Sequence, residues 1–192
     1  MNHHTDQYYI NRCLEGETNA FSYLVDQYKD FVYTIILRMV KNKEWAEEIA
    51  QDVFVKAYTS LANYRGDAKF STWLYTIAYR KALDALKSVK NQKTIDFIDD
   101  VQEGDIGSVT DALMHLELEE RKTIIKNSIL KLKEDEAALI TLYYFEEKSV
   151  KEIQDITKIS VDNIKIKLYR SRKKLYDYLN GYIQPQISKP KG

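Results

Sequence analysis

The sequence has little of what disulfides, metal centres and turn-rich sheets require. Its one cysteine, Cys13, excludes an intramolecular disulfide and a zinc site built from several cysteines. The three histidines, His3, His4 and His115, form no cluster with metal-ligand spacing. Six glycines and two prolines are few for a protein with many tight turns. We therefore expect a fold without sheets, and neither a metal nor a cofactor.

Long apolar runs and catalytic motifs are also missing. No apolar stretch approaches the ~18 residues that indicate a membrane-spanning helix, and no leader of basic, apolar and small residues opens the chain. This predicts a soluble, cytoplasmic protein. A phosphate-binding loop and a nucleophile motif are absent too, so we do not expect an enzyme. The hydrophobic content of 44% is normal for a folded globular chain.

Net charge is zero, but its distribution is uneven. Residues 1–90 carry 12 basic and 11 acidic side chains, residues 91–113 carry one against six, and residues 114–192 carry 16 against 12. The acidic stretch also contains Gly104, Gly107 and Ser108, which is typical of a flexible linker. We therefore predict one domain over residues 1–90, an acidic linker over 91–113, a second domain over 114–182 and a disordered tail over 183–192.

Apolar residues in the first half recur at helical rather than alternating spacing. One helix is expected from residue 18 to 40, after a shorter one that ends at Gly16. Asn42 is a plausible cap for the next helix, and Ser71 or Thr72 for the one after it. In the second half, residues 113–132 and 135–145 are each predicted to be helical. The pattern indicates an all-α protein with two small helical domains joined by a flexible acidic linker.

A short helix, a tight turn and a longer helix are predicted near the end of the chain. Ser149 and Glu152 have the spacing of a capping box, and Ser160 can cap the second helix. This is the helix-turn-helix arrangement, in which the second helix enters the DNA major groove. Lys158 occupies the turn position that glycine often fills, so we expect a non-glycine residue with positive φ there.

The second helix of this motif concentrates positive charge. It has six lysines and arginines between Asn163 and Lys174 and no acid. Residues early in the helix can reach base edges, and the later cations can neutralise phosphates. A solvated helix face is the alternative interpretation. The candidate duplex-binding residues are Ser160, Val161, Asp162, Asn163, Lys165, Lys167, Arg170, Arg172, Lys173 and Lys174.

The stretch "EWAEEIAQDVFVKAYTSLANYRGDAKFSTWLYTIAYRKALDAL", residues 44–86, resembles region two of bacterial sigma factors, the promoter-recognising subunits of RNA polymerase. The helix-turn-helix is similar to their region four. Two such domains in this order match the extracytoplasmic-function (ECF) class. The resemblance implies a region two four-helix domain and a region four helix-turn-helix domain. It also implies core RNA polymerase and promoter DNA as partners, and an anti-sigma factor that is often membrane-bound.

The resemblance assigns a polymerase-binding surface to Glu48, Gln51 and Asp52. Their i, i+3, i+4 spacing places them on one helix face. In the family the matching face docks on a coiled coil of the largest polymerase subunit, and Phe54 and Tyr58 would add apolar contact. A solvated acidic face is the alternative, and core burial is an equal alternative for Phe54.

The stretch "YRGDAKFSTW" matches the family's loop and helix start that capture the minus-ten element. Aromatic side chains can offset the cost of flipping a base, since stacking contributes about 1–3 kcal/mol per base. Thr76 and Ile77 stand where housekeeping sigma factors carry wedge tryptophans, which implies stricter dependence on promoter sequence. The candidate residues are Tyr64, Phe70, Trp73, Tyr75 and Tyr79 for bases, with Phe70 and Trp73 expected to be structural, and Arg65, Lys69, Arg80 and Lys81 for phosphates.

Two other functions stay open from the sequence alone. An ordinary helix-turn-helix regulator would bind a two-fold symmetric duplex tightly without polymerase. A helical adaptor that contacts only proteins would bind no nucleic acid, and substitution of Lys165 or Arg170 would then change no nucleic-acid assay.

Overall fold

The computed structural model describes residues 5–90 and 117–187, and the regular elements in these two ranges are all helices, which confirms the all-α prediction. The predicted linker, residues 91–113, lies outside the described residues, as does the end of the predicted tail. The helices are α1 (Asp6–Leu14), α2 (Ala20–Val40), α3 (Lys43–Thr59), a 3₁₀ turn (Leu61–Asn63), α4 (Phe70–Lys90), α5 (Leu118–Leu130), α6 (Glu134–Ile140), a π-helical segment (Thr141–Phe145), α7 (Val150–Thr157) and α8 (Val161–Ile187). Residues 183–187 therefore continue α8, where the sequence predicted that the tail begins.

A local signal accounts for the start of α3 in the first domain, but not for the start of α4. Asn42 caps α3, because its side-chain Oδ1 accepts a 2.8 Å hydrogen bond from the Trp45 backbone N–H. Neither of the two predicted caps of α4 lies before the helix. It begins at Phe70, and the Trp73 N–H already donates to the Lys69 carbonyl at 3.2 Å. Phe70 is only 2% exposed, and burial of its ring favours a helix that begins at Phe70, before both predicted caps.

The helix-turn-helix forms as predicted. Ser149 and Glu152 make both arms of the capping box, with the Ser149 N–H 2.9 Å from Glu152 Oε2 and the Glu152 N–H 3.2 Å from Ser149 Oγ. Lys158 ends α7 in the left-handed region at φ 62°, and its N–H donates to the Gln154 carbonyl at 2.8 Å. The non-glycine residue with positive φ is thus confirmed.

The two domains pack against each other through α2 on α6 and α4 on α7. Arg38 Nη1 donates to Thr141 Oγ1 at 2.9 Å, and Lys41 Nζ donates to the Leu132 carbonyl at 2.8 Å. Apolar side chains from both domains belong to one continuous core. The chain in this conformation is a single packed body rather than two separated units.

Two kinds of feature are missing from the part of the chain that the structure describes. No helix there is long and apolar enough to cross a membrane. Nor do the described residues contain a cluster of three or more His, Cys, Asp or Glu side chains that could hold a metal ion.

Candidate nucleic-acid and polymerase interfaces

The start of α8 presents a polar surface to solvent. Asp162, Asn163 and Lys165 are exposed in its first turns, and Arg170 is exposed further along. The opposite face holds the helix in place through Ile164 and Leu168, which are at most 6% exposed in the core. Ser160 and Arg172 are also exposed, and Val161 and Lys173 are partly buried. The arrangement can present side chains to a groove while the apolar face stays anchored.

Two of the predicted duplex-binding lysines, Lys167 for base edges and Lys174 for phosphates, instead face α6. Lys167 Nζ lies 2.5 Å from Asp135 Oδ2, and Lys174 Nζ lies 3.2 Å from Glu136 Oε1. The Lys174 and Glu136 side chains are only 12% and 10% exposed, so the pair lies in the interior, where breaking it is costly. These two cations hold α8 against α6, and their role at a duplex stays a prediction.

Tyr64 organises the predicted minus-ten loop. Its hydroxyl donates to the Ala68 carbonyl at 2.7 Å, and this bond closes a loop in which Gly66 has φ 76°. The Tyr64 ring lies 5.4 Å from Trp73 and 5.7 Å from Phe70 between centroids. Phe70 is buried, whereas Tyr64 and Trp73 keep part of their surface exposed. Burial raises the pKa of the Tyr64 hydroxyl, which therefore stays protonated as a donor at neutral pH.

Two aromatic residues that the sequence proposed for base stacking are inside the protein. Tyr75 is 1% exposed and Tyr79 is 4% exposed. The Tyr75 ring packs 4.4 Å from Phe31, and its hydroxyl donates to Glu146 Oε2 at 2.8 Å. Burial raises the pKa of Tyr79 to about 12 and raises that of Tyr75 as well. Neither ring can stack on a base in this conformation.

A cleft of about 570 Å³ lies beside the loop. One wall comes from the first domain, where Tyr64, Trp73 and Arg80 line it. The other includes Asp155 and Lys158 of the helix-turn-helix.

Thr76 and Ile77, which the resemblance aligns with the wedge tryptophans, line the same cleft. Arg65 also lines it, and the exposed Lys69 lies 3.9 Å from Glu152 of the second domain.

The predicted polymerase surface is a solvent-facing stripe of α3. Glu48, Gln51 and Asp52 are all exposed, as their spacing predicted. Asp52 Oδ2 lies 2.9 Å from Lys81 Nζ, so this lysine, proposed for phosphate binding, joins the acidic face instead. Tyr58 is 40% exposed with its ring edge against Phe21 at 5.1 Å.

Phe54 and Val55 decide where the apolar part of this face lies. Phe54 is partly buried against the core, which leaves less of it for a partner. Val55, which the sequence reasoning missed, is 63% exposed and follows Gln51 and Asp52 at i+4 and i+3. Its helical spacing was the available signal. Asp155 and Glu146 were missed as well, and they had no sequence signal because their neighbours belong to the other domain. Lys158 was predicted only as the turn residue of the helix-turn-helix and not as part of the cleft.

Comparisons with known proteins agree with this geometry. The chain matches the Sigma-70 region 2 family over residues 24–92 and the Sigma-70 region 4 family over residues 122–175. The ECF RNA polymerase sigma factor SigW of Bacillus subtilis is 33% identical over 177 residues, which cover 86% of this chain and 92% of that protein. The RNA polymerase sigma-H factor of Pseudomonas aeruginosa is 30% identical over 174 residues, covering 87% and 90%.

Solved structures share the fold. The sigma factor RpoE of Bartonella quintana, crystallised with the anti-sigma factor NepR, matches with a TM-score of 0.64 and 17% identity, over 83% of this chain and 96% of that one. CnrH, in complex with the cytosolic domain of CnrY, matches with a TM-score of 0.58 and 19% identity, over 92% and 97%. The chain belongs to the extracytoplasmic-function family of RNA polymerase sigma factors.

Proposed function

We propose that this sigma factor brings core RNA polymerase in the cytoplasm to promoters with a two-part sequence. The second domain would hold the minus-thirty-five element as duplex, and the first would capture and help melt the minus-ten element. The observation that carries this proposal is the exposed start of α8, where Asp162, Asn163 and Lys165 project from a helix anchored by its apolar face.

Base recognition would come from the first turns of α8 and affinity from the cations behind them. Asn163 and Lys165 can each reach base edges in a major groove, where a good contact contributes about 1–3 kcal/mol of discrimination. Arg170 and Arg172 would neutralise phosphates. Lys167 and Lys174 would contribute less, because their ion pairs with Asp135 and Glu136 would have to break first.

Capture of the minus-ten element would use the loop and cleft of the first domain. The exposed parts of Tyr64 and Trp73 could stack on an extruded base, and Arg65 and Arg80 could bind its phosphates. The cleft beside them has room for a base, at about 570 Å³. Its far wall belongs to the helix-turn-helix, so DNA entry requires that this wall move away.

The two promoter elements demand a separation that the packed arrangement does not provide. Their labels differ by 25 base pairs, which at a rise of about 3.4 Å each corresponds to roughly 85 Å along the duplex. Here α4 and α7 are in direct contact. Polymerase binding to Glu48, Gln51 and Asp52 would supply the free energy for separating the domains.

An anti-sigma factor is a further expected partner. The related Bartonella quintana sigma factor was crystallised with one. We propose that a protein of this kind keeps the factor from polymerase until a signal releases it.

Run-off transcription with core RNA polymerase on a pool of genomic promoters tests the proposal. We expect new discrete transcripts that start downstream of a shared two-part motif. The double variant Lys165→Ala/Arg170→Ala should reduce them at least tenfold, since it removes a base contact of about 1–3 kcal/mol at Lys165 and a phosphate contact at Arg170. Lys87→Ala, which removes an exposed cation at the far end of α4, should leave transcript yield unchanged.

Two other results would favour a different function. Protection of a palindromic duplex without polymerase, together with no new transcripts, would indicate an ordinary regulator. No nucleic-acid signal in either assay would indicate an adaptor, provided that mass spectrometry finds no inhibitor bound to the purified chain.

A further inference from the structure

A second cavity lies beside α2, at the junction of the two domains. It measures about 390 Å³ and is enclosed by α2, α5 and Phe145 of the π-helical segment. Leu37, Ile125 and Leu130 provide its apolar walls. A volume of this size, with mostly apolar walls and few polar groups, is typical of small-molecule sites.

The polar groups of this cavity are mostly cationic. Arg38, Lys122 and Lys126 line it, and none of its lining residues within the described ranges is acidic. Lys122 and Lys126 are exposed at the rim, and Lys122 pairs with Glu119 of its own helix at 2.8 Å. Arg38 is different, because its side chain is only 9% exposed. The cavity therefore combines an apolar interior with one buried positive charge.

Arg38 has no carboxylate within ion-pair distance among the described residues. Its Nη1 donates to Thr141 Oγ1 at 2.9 Å, and its guanidinium carbon lies 4.0 Å from the centroid of the Phe145 ring. Burial lowers the pKa of Arg38 to about 10, so the group is still charged at neutral pH. A guanidinium has five N–H groups, and a buried charge without a counter-ion costs free energy. An anion that entered the cavity would offset this cost.

We infer that the cavity binds a small carboxylic acid with an apolar body. The carboxylate would pair with the Arg38 guanidinium, whose planar fork fits it in two parallel hydrogen bonds. The apolar body would lie against Leu37, Ile125 and Leu130. A phosphate would fit the fork as well, but its second charge would be desolvated between apolar walls with one buried cation to balance it.

Occupancy of this site would bias the arrangement of the domains. Tyr33, Leu37 and Arg38 belong to the first domain, whereas Ile125, Leu130 and Phe145 belong to the second, so the cavity exists only while the domains are packed. A ligand that binds one conformation shifts the population towards it. Because the proposed function requires separated domains, the acid would lower transcript yield. This regulatory step rests on the proposed function, whereas the binding itself does not.

Calorimetric titration of the full chain with sodium octanoate tests the site. Octanoate should bind saturably at one site, and 1-octanol, which has the same chain without the charge, should bind at least tenfold more weakly. Inorganic phosphate should not bind. The Nε–H signal of Arg38 in a nitrogen–proton correlation spectrum should shift on addition of octanoate.

Two variants test separately how the Arg38 charge and the open volume of the cavity contribute to octanoate binding. Arg38→Leu removes the guanidinium and keeps an apolar side chain in its place, while Ile125→Trp fills the cavity and keeps the charge. Each should weaken octanoate binding at least tenfold. Lys29→Leu, which removes an exposed cation on the same helix, should bind octanoate as the parent does. If Arg38→Leu does not fold, Ile125→Trp and the Arg38 signal still decide the question.

Several results would overturn the inference. Equal affinity for octanol and octanoate would show that the cavity binds apolar molecules without regard to charge. Absence of saturable binding would show that there is no binding site. A site that accepts only an acidic amphipathic helical peptide, through Arg38, would belong to a protein partner. Arg38-dependent octanoate binding with unchanged transcript yield would refute the regulatory step alone. The titrations need neither polymerase nor promoter, so failure of the proposed function would not obscure them.

Discussion

Lys158 is one of three described non-glycine residues with positive φ, the others being Lys41 and Glu147. A left-handed conformation costs a non-glycine residue about 1–2 kcal/mol, and Lys158 adopts it at φ 62° to end α7. Its N–H still caps the helix through the Gln154 carbonyl. The turn of the helix-turn-helix is therefore formed against a local preference and is held by the packing of α7 and α8.

Replacement of Lys158 by glycine should stabilise the protein by about 0.5–1 kcal/mol, since relief of this strain exceeds the extra chain entropy of glycine. Urea unfolding monitored by circular dichroism measures the difference. Lys165→Gly provides the matched control, because Lys165 lies inside α8, where glycine should cost about 1 kcal/mol. Equal losses in the two variants would show that the left-handed turn is not strained.

At the scale of single elements, α7 depends on its capping box. Hydrogen bonds from the side chain and backbone of Ser149 lower the pKa of the Glu152 carboxyl, with a smaller contribution from Lys148 and Lys69. The folded carboxyl thus has a lower pKa than the unfolded one. The stabilisation is present above the unfolded pKa and is lost as the pH falls through the folded pKa.

We expect Ser149→Ala to cost about 1 kcal/mol at neutral pH, and less once the medium is acid enough to protonate Glu152. As the pH falls and Glu152 becomes protonated, the measured difference in unfolding free energy between the variant and the parent should shrink, while the part due to the Glu152 N–H to Ser149 Oγ bond remains. Ser88→Ala, which removes an exposed hydroxyl near the end of α4, should cost little at any pH. A difference between Ser149→Ala and the parent that does not change with pH would show that the Glu152 charge contributes nothing to the cap.

At the scale of the whole molecule, a few polar contacts accompany the packing of the domains. Tyr75 donates to Glu146 at 2.8 Å, and Lys148 Nζ lies 3.2 Å from Ser71 Oγ, both between α4 and the segment before α7. The Tyr75 ring is buried, and burial raises its pKa, so the hydroxyl stays a donor. The equilibrium between packed and separated domains therefore depends partly on the hydroxyl of Tyr75.

Tyr75→Phe should shift that balance towards separated domains by about tenfold, because a hydrogen bond to a charged group contributes about 1.5–3 kcal/mol. Spin labels can be attached at Val55→Cys and Tyr169→Cys, two exposed positions in different domains, in a Cys13→Ala background. The distance between the labels should be longer in the Tyr75→Phe variant than in the parent. Tyr28→Phe is the control, since it removes a 2.7 Å bond to Asp6 within the first domain. The same distance distribution in all three proteins would show that Tyr75 does not hold the domains together.

Helical spacing, caps and family motifs were readable from the chain because they depend on neighbours within a few residues. Asn42, Ser149 with Glu152, and the left-handed Lys158 all belong to this class, and each was confirmed. The exposed stripe of Glu48, Gln51 and Asp52 follows from the same 3.6-residue period. The family followed from the motifs of both domains in their order.

Packing alone decided which candidate side chains are available. Tyr75 and Tyr79 are aromatic and could stack on bases, but both lie on the buried face of α4. Lys174 pairs with Glu136, which is 38 residues away along the chain. Arg38 donates a hydrogen bond to Thr141, 103 residues away, and the other walls of its cavity come from α5 and Phe145. Helix propensity and capping act within one or two turns, so the sequence by itself determined the helices and the family. Contacts between helices depend on how whole faces fit together, so only the tertiary structure decided which charges pair, which rings are buried and where the cavity forms.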